Sequence, residues 1–328
     1  MDYKKKVTVL SAVIGVLALA YALTLIFDPA RRMERSDAYT WLKPADIDRV
    51  SRISISRPET QAAVEIARGG GGDWQLQRDG RALPAKQTRV SDFLAELAKQ
   101  GSYPTVATST AAHERLSVTE ETATRITLSG DSGQPVLDIL IGQTDTSGKN
   151  AYIRRADSGE VRSGENRFSP YTGADAGPWL NLRLFPKSEE DIPALSDVMR
   201  LRIEPADGEA MVFTRAERTW QVNFAATRLN PNRVDVFVKD ILSSTADGFA
   251  DSPEGTAFDG GRVVVELADG TSTTISFSAA DENGKRFAQV SGTGFTYSLS
   301  GWMYDRFFLN PETFELPEAE AGSGDSGE

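Results

Sequence analysis

The chain has 328 residues, 40% of them hydrophobic, enough for one large or two ordinary packed domains. Without cysteine and with a single histidine, His113, it excludes disulfides, thiolate chemistry and multi-histidine metal sites. Residues 1–35 carry six bases against three acids and residues 312–328 six acids without a base, so about eight of the net −11 fall on residues 36–311, a body that repels a nucleic-acid backbone.

Residues 1–6 hold three consecutive lysines, and residues 7–27 follow with 21 positions free of charge. At about 1.5 Å per residue such a helix reaches roughly 30 Å, the thickness of a bilayer's hydrocarbon core. The expectation is a transmembrane helix over 7–27 that contacts the lipid bilayer. Ala20-Tyr21-Ala22 offers a signal-peptidase-like site as the rival reading, but the apolar run continues through Phe27. The flanking charges are nearly balanced: Lys4 to Lys6 precede the span, and Arg31, Arg32 and Arg35 follow it. The unbroken lysines tilt the orientation toward a cytoplasmic amino terminus and an external body. Residues 28–47 read as a juxtamembrane linker.

Beyond the linker the chain repeats itself. RISIS (52–56) matches RLRIE (200–204), both alternating as half-buried strands do. AVEIARGGGGDWQLQ (63–77) matches AMVFTRAERTWQVN (210–223), a hairpin in each copy that aligns Trp74 with Trp220. The next pair is TRVSDFLAELAKQ (88–100) and NRVDVFVKDILSS (232–244). Val90, Phe93, Leu94 and Leu97, and likewise Val234, Phe237, Val238 and Ile241, make one apolar helix face each. A further hairpin (125–142 with 262–279) and a strand (150–155 with 285–290) keep the same order. The pattern predicts an α+β fold: two tandem, duplicated units of mostly antiparallel sheet with one helix each, over 48–187 and 188–311. An acidic disordered tail is expected over 312–328.

The last correspondence is W-x-x-x-R-x-F, written as WLNLRLF (179–185) and WMYDRFF (302–308). A Trp and an Arg four apart share a helix face, where guanidinium stacks on indole for about 0.5–2 kcal/mol. Trp179, Arg183 and Phe185, and Trp302, Arg306 and Phe308, are therefore expected to clasp a short helix onto each unit's sheet, with both tryptophans buried. The competing reading is a duplicated docking site.

Motifs that suggest chemistry dissolve on inspection. GDSGQP (130–135) resembles the serine loop of trypsin-like proteases, but His113 lies only 17 residues before Gly130, too close for that fold. It reads as a polar hairpin turn. GGGG (69–72) lacks the Lys-Ser/Thr and the helix of a phosphate loop. Asp281-Glu282-Asn283-Gly284 lacks the alternating oxygens of a calcium loop. No catalytic, cofactor or metal residue stands out.

With its N-terminal apolar segment, the early W-L-x-P-A-D-I (Trp41 to Ile47), the strand–W-x-[LV] hairpins and the helices opening on R-V, the chain resembles the domain-of-unknown-function 4340 family over roughly residues 5–310. The resemblance implies a bacterial envelope protein with one inner-membrane span and a periplasmic body, found beside a gliding-motility-type ABC transporter, with no agreed catalytic residues. The expected function is a non-enzymatic accessory or scaffold subunit that binds membrane-protein partners or an exported substrate. A carboxylate-dependent enzyme acting on an envelope polymer and a lipid- or small-ligand-binding module stay open as alternatives.

Overall fold

The computed structural model describes residues 37–58, 62–185, 192–217, 219–224, 228–251 and 255–316, together with Ile14 and Leu17. The chain divides into two compact units, Met1–Trp179 and Leu180–Glu328.

The first unit opens with β1 (Ala38–Tyr39) and a 3-10 turn over Pro44–Arg49, followed by β2 (Arg52–Arg57), β3 (Ala62–Arg68), β4 (Trp74–Arg78) and β5 (Arg81–Pro84). Helix α1 (Gln87–Ala98) follows, then the short strands β6 (Gly101–Ser102) and β7 (Thr105–Ala107) and helix α2 (Thr110–Arg115). β8 (Thr124–Ser129), β9 (Pro135–Thr144), β10 (Asn150–Arg155) and β11 (Val161–Glu165) complete a nine-stranded antiparallel sheet ordered β5-β4-β3-β2-β8-β9-β10-β11-β7. Short turns enforce the antiparallel order. Between β4 and β5, Asp79 and Gly80 both take positive φ (50° and 73°), the two-residue geometry whose twist matches a hairpin. Val90, Phe93, Leu94 and Leu97 of α1 are buried, as the 3.6-residue period requires.

The second unit contains β12 (Val198–Pro205), β13 (Met211–Ala216), β14 (Thr219–Val222), helix α3 (Pro231–Leu242), β15 (Gly248–Phe249), β16 (Gly261–Leu267), β17 (Ser272–Phe277), β18 (Arg286–Val290), β19 (Thr296–Leu299) and helix α4 (Gly301–Asp305). Its sheet is ordered β14-β13-β12-β16-β17-β18-β19-β15. Position for position this is the order of the first sheet, less one strand: no counterpart of β5 pairs with β14 among the described residues.

Several expectations need correction. The chain is 39% strand and 22% helix, so it is a mostly-β protein rather than the α+β one expected. Each unit also has a second short helix. Sheet dominates because antiparallel neighbours satisfy one another's backbone groups through tight turns, leaving each long helix to cover a single face. Among the described residues no helix is long and apolar enough to cross a membrane, so the transmembrane helix of the expected fold is not supported. Within the 7–27 segment only Ile14 and Leu17 are described, and residues 1–6 and 317–328 lie outside the described residues.

The expected linker and tail both contribute to packing. Trp41 is buried edge-on to Tyr39 (4.8 Å) and Tyr103 (5.4 Å), so residues 37–47 belong to the first unit. Phe314 is 0% exposed and its ring lies 5.0 Å from Phe213, so residues 312–316 belong to the second. Finally, the division between units falls between Trp179 and Leu180 rather than at 187/188. Leu184 and Phe185 pack in the second unit's core, which sets the boundary early.

Candidate functional site

The second unit carries a groove between α3 and the terminal segment. Asn230 caps α3 by accepting a hydrogen bond from the Arg233 N–H, and Pro231 pre-sets the first helical φ. The helix turns Val234, Phe237, Val238 and Ile241 inward, which leaves Asn232, Val236 and Asp240 on its outer side. Asn310 caps the next turn in the same way, accepting from the Glu312 N–H, and this turn drives Phe314 into the core. The Arg233 guanidinium donates to the Thr313 carbonyl (2.9 Å) and ties the helix to the terminal segment.

The groove encloses about 510 Å³ and is lined by Val236, Phe237, Leu309 and Phe314, with Arg233, Arg306 and Asp240 at its polar margin. Arg306 lies 3.4 Å from Asp240 and 5.3 Å from the centre of the Trp302 ring. Val236 (58%), on the groove's wall, and Trp302 (66%), stacked with Arg306 at its margin, are large apolar side chains left in solvent. An apolar floor with two guanidinium groups against one carboxylate suits an amphipathic guest that carries negative charge. Among the described residues no group of three or more His, Asp or Glu side chains is placed to hold a metal ion.

The eight residues of the repeated motifs have different environments. Trp74 and Trp220 are both buried, and each ring is covered by an arginine of the preceding strand: Arg68 at 4.8 Å and Arg215 at 5.2 Å. In both hairpins the arginine and the tryptophan are directly paired across the strands. Each arginine also donates to a carbonyl just before its unit's first long strand, Arg68 to Val50 and Arg215 to Leu195. Sequence reasoning missed these stacks. The signal was present, an arginine at or one residue before the end of the first strand of each hairpin and a tryptophan at the first or second place of the next.

The W-x-x-x-R-x-F pair does not behave as one device. Trp179 closes a 3-10 turn, Gly177–Trp179, and packs at 1% exposure against Phe93 (5.6 Å) and Tyr171 (6.0 Å). The guanidinium over its ring is that of Arg89 (4.8 Å), while Arg183 donates to the Leu242 carbonyl. The expected helix is absent there because residues 182–184 run extended and bond to 244–246 instead, the Leu184 N–H to the Ser244 carbonyl and the Ala246 N–H to the Leu182 carbonyl. Phe185 is buried in the core of the second unit.

In the second copy Trp302 and Arg306 do stack, but on the solvent side of α4. The same helix and the residues after it bury Met303, Tyr304 and Phe307. Four residues along a helix return to one face, and here the core takes the opposite face. The expected burial of Trp302 is therefore overturned. Phe308 is half-buried against Tyr304 (4.5 Å) and Phe277 (5.5 Å). The Tyr304 hydroxyl donates to the Gly260 carbonyl (2.6 Å), and burial pushes its pKa up.

GDSGQP is the tight turn between β8 and β9, closed by Gly130 N–H to Gln134 O and Gly133 N–H to Gly130 O. His113 contacts the Gly159 carbonyl (2.9 Å). The chain belongs to the family described as a domain of unknown function (DUF4340), whose profile matches residues 74–260. No curated protein and no solved structure matches it.

Proposed function

We propose that this chain acts by binding rather than by turnover, as an accessory or scaffold subunit outside the cytoplasm, within the ABC-type envelope transport assembly that the family resemblance implies. The observation that carries this reading is the groove of about 510 Å³ at whose margin Arg306 stacks on the exposed Trp302. Its occupant is an amphipathic segment of a partner protein. Aliphatic side chains would rest on Phe237, Leu309 and Phe314, and a carboxylate would take Arg306 from its loose contact with Asp240. Exposed aromatic and arginine side chains around an apolar pocket are the residue types that dominate binding energy at interfaces. Among the described residues the carboxyl groups with shifted pKa, Asp145 and Glu204, are both held down, chiefly by hydrogen bonds from Ser147 and Arg262 respectively. That suits structural pairing better than the raised general acid a glycoside-cleaving site requires.

The groove's volume also lies within the range of about 300–1,000 Å³ typical of small-ligand sites, which favours a lipid-like amphiphile as the second reading. A photo-cross-linking amino acid at Val236, compared with one at the exposed Met199, separates the two in cells of the native host. The proposal expects a discrete protein adduct from position 236 only, containing a component of the transport assembly, and its loss in Arg306→Glu. An adduct confined to lipid would favour the second reading. Equal labelling from both positions, or none, would refute both.

A further inference from the structure

The two sheets share a strand order but not an edge. In the first unit β5 covers β4, with Leu76 opposite Leu83, Gln77 opposite Ala82 and Gln75 opposite Pro84. Pro84, which has no N–H, falls at a position that needs none. The backbone of Trp74 is fully engaged: its N–H goes to the Gln87 side chain (2.8 Å), and its carbonyl accepts from Gln87 (3.0 Å) and from the Ala85 N–H (3.1 Å). Leu76 is consequently 1% exposed.

In the second unit β14 takes the place of β4. The Asn223 N–H donates to the Val212 carbonyl, and β14 pairs with β13 through Thr214 opposite Gln221 and Ala216 opposite Thr219. In an antiparallel ladder alternate residues bond to the same neighbour, so 219, 221 and 223 face β13, and Trp220 and Val222 turn their N–H and C=O outward. No partner for these four groups occurs among the described residues. Where α1 offers Gln87 to the tryptophan backbone, α3 has Pro231, which offers nothing. Val222, in the place of Leu76, is only half-buried.

We propose that the outer edge of β14 accepts one extended strand of a partner protein, antiparallel and about four residues long. The first unit shows the chemistry of that strand, because β5 (Arg-Ala-Leu-Pro) fills the corresponding edge. A branched aliphatic side chain lies opposite Val222, completing the burial that Leu83 provides in the first unit. A basic residue at the strand's end suits this edge, because in the antiparallel register that end runs beside Thr219 and Trp220, where Glu217 lies in the β13–β14 turn and Asp235 accepts from the Trp220 indole (2.7 Å). Open strand edges are the usual template for such strand addition, with main-chain hydrogen bonds giving affinity and alternate side chains giving specificity. This site is separate from the groove and stands whether or not the groove binds a partner.

The probe is a fluorescently labelled peptide with the sequence of residues 79–86 (DGRALPAK), added to the full chain. The expected result is saturable binding, with slowed hydrogen exchange at the Trp220 and Val222 amides. N-methylation of the peptide's leucine should weaken binding at least tenfold, because the corresponding Leu83 N–H faces β4. Val222→Pro should do the same while leaving the melting temperature nearly unchanged, since that N–H takes no part in the β13 ladder. Absence of binding, or binding indifferent to both changes, overturns the proposal. Binding seen only after truncation beyond Leu316 would assign the edge to the chain's own terminus and also overturn it. So would a dimer that Val222→Pro dissociates, which would make the occupant a second copy of β14.

Discussion

Trp179→Ala and Trp302→Ala make the sharpest paired test, because the two residues hold the same place in a repeated phrase and opposite places in the structure. Trp179 is 1% exposed, with Phe93 and Tyr171 against its ring and Arg89 stacked on it. Truncating a buried tryptophan costs about 3–5 kcal/mol through lost transfer energy and the cavity left behind. At about 2–4 °C per kcal/mol for a unit of this size, the first unit's melting midpoint should fall by about 6–20 °C. Trp302 is 66% exposed, and among the described residues the one aromatic or cation contact of its ring is Arg306. Its truncation forgoes an exposed cation–π contact of about 0.5–1 kcal/mol and opens no cavity. The second unit's midpoint should therefore move by no more than about 4 °C, while cross-linking from Val236 is lost. Calorimetry of the full chain reads both units, which need not melt together. Equal shifts for the two variants, or a larger one for Trp302→Ala, would refute the assignment of Trp302 to a recognition surface.

Three further outcomes are expected. Glu204 sits between Arg202 and Arg262, and the hydrogen bond from Arg262 is the main cause holding its pKa below the ordinary glutamate value of 4.5. A carboxyl lowered by folding stabilises the native state above its unfolded pKa, and that contribution fades as pH falls through the folded value, so wild type should lose its advantage over Glu204→Gln below about pH 4.5, as urea titrations at pH 7 and pH 3 would show. Gly261 has φ +110°, and an added Cβ would lie 2.8 Å from the Phe308 ring, so Gly261→Ala should destabilise the second unit by about 1–3 kcal/mol, measured by chemical denaturation. Arg68→Met and Arg215→Met, which keep the aliphatic stem but remove the stack and the carbonyl bond, should each cost about 1–2 kcal/mol in the same assay; a change in only one would show that the two clamps are not equivalent.

What the sequence disclosed followed the length of each pattern. The face Val90, Phe93, Leu94 and Leu97 spans two helical turns, and RISIS pairs along a whole strand, so the period alone places them. The five residues of α4 are too few to fix a phase, so the motif does not reveal that Trp302 faces solvent. β6 and β7 have two and three residues and show no alternation to detect. The groove was illegible for another reason: Val236 and Thr313 meet only because Asn310 turns the chain back over α3, a long-range event that no local period encodes. The open edge of β14 has no local signature either, because it consists in the lack of a counterpart to β5 among the described residues.

The stretch that the family profile recognises is not the stretch that folds. It begins at β4 and ends just before β16, so it takes the later part of one sheet and the earlier part of the next. Expressed alone, residues 74–260 would leave β2 and β3 behind at one end and β16 to β19 at the other, stripping both sheets of their central strands. The matched stretch runs across the seam at Trp179–Leu180, where one compact unit ends and the next begins. A swap of units between family members should therefore exchange whole sheets and cut at that seam. A cut placed after the repeated phrase would carry Leu184 and Phe185 away from the core they fill.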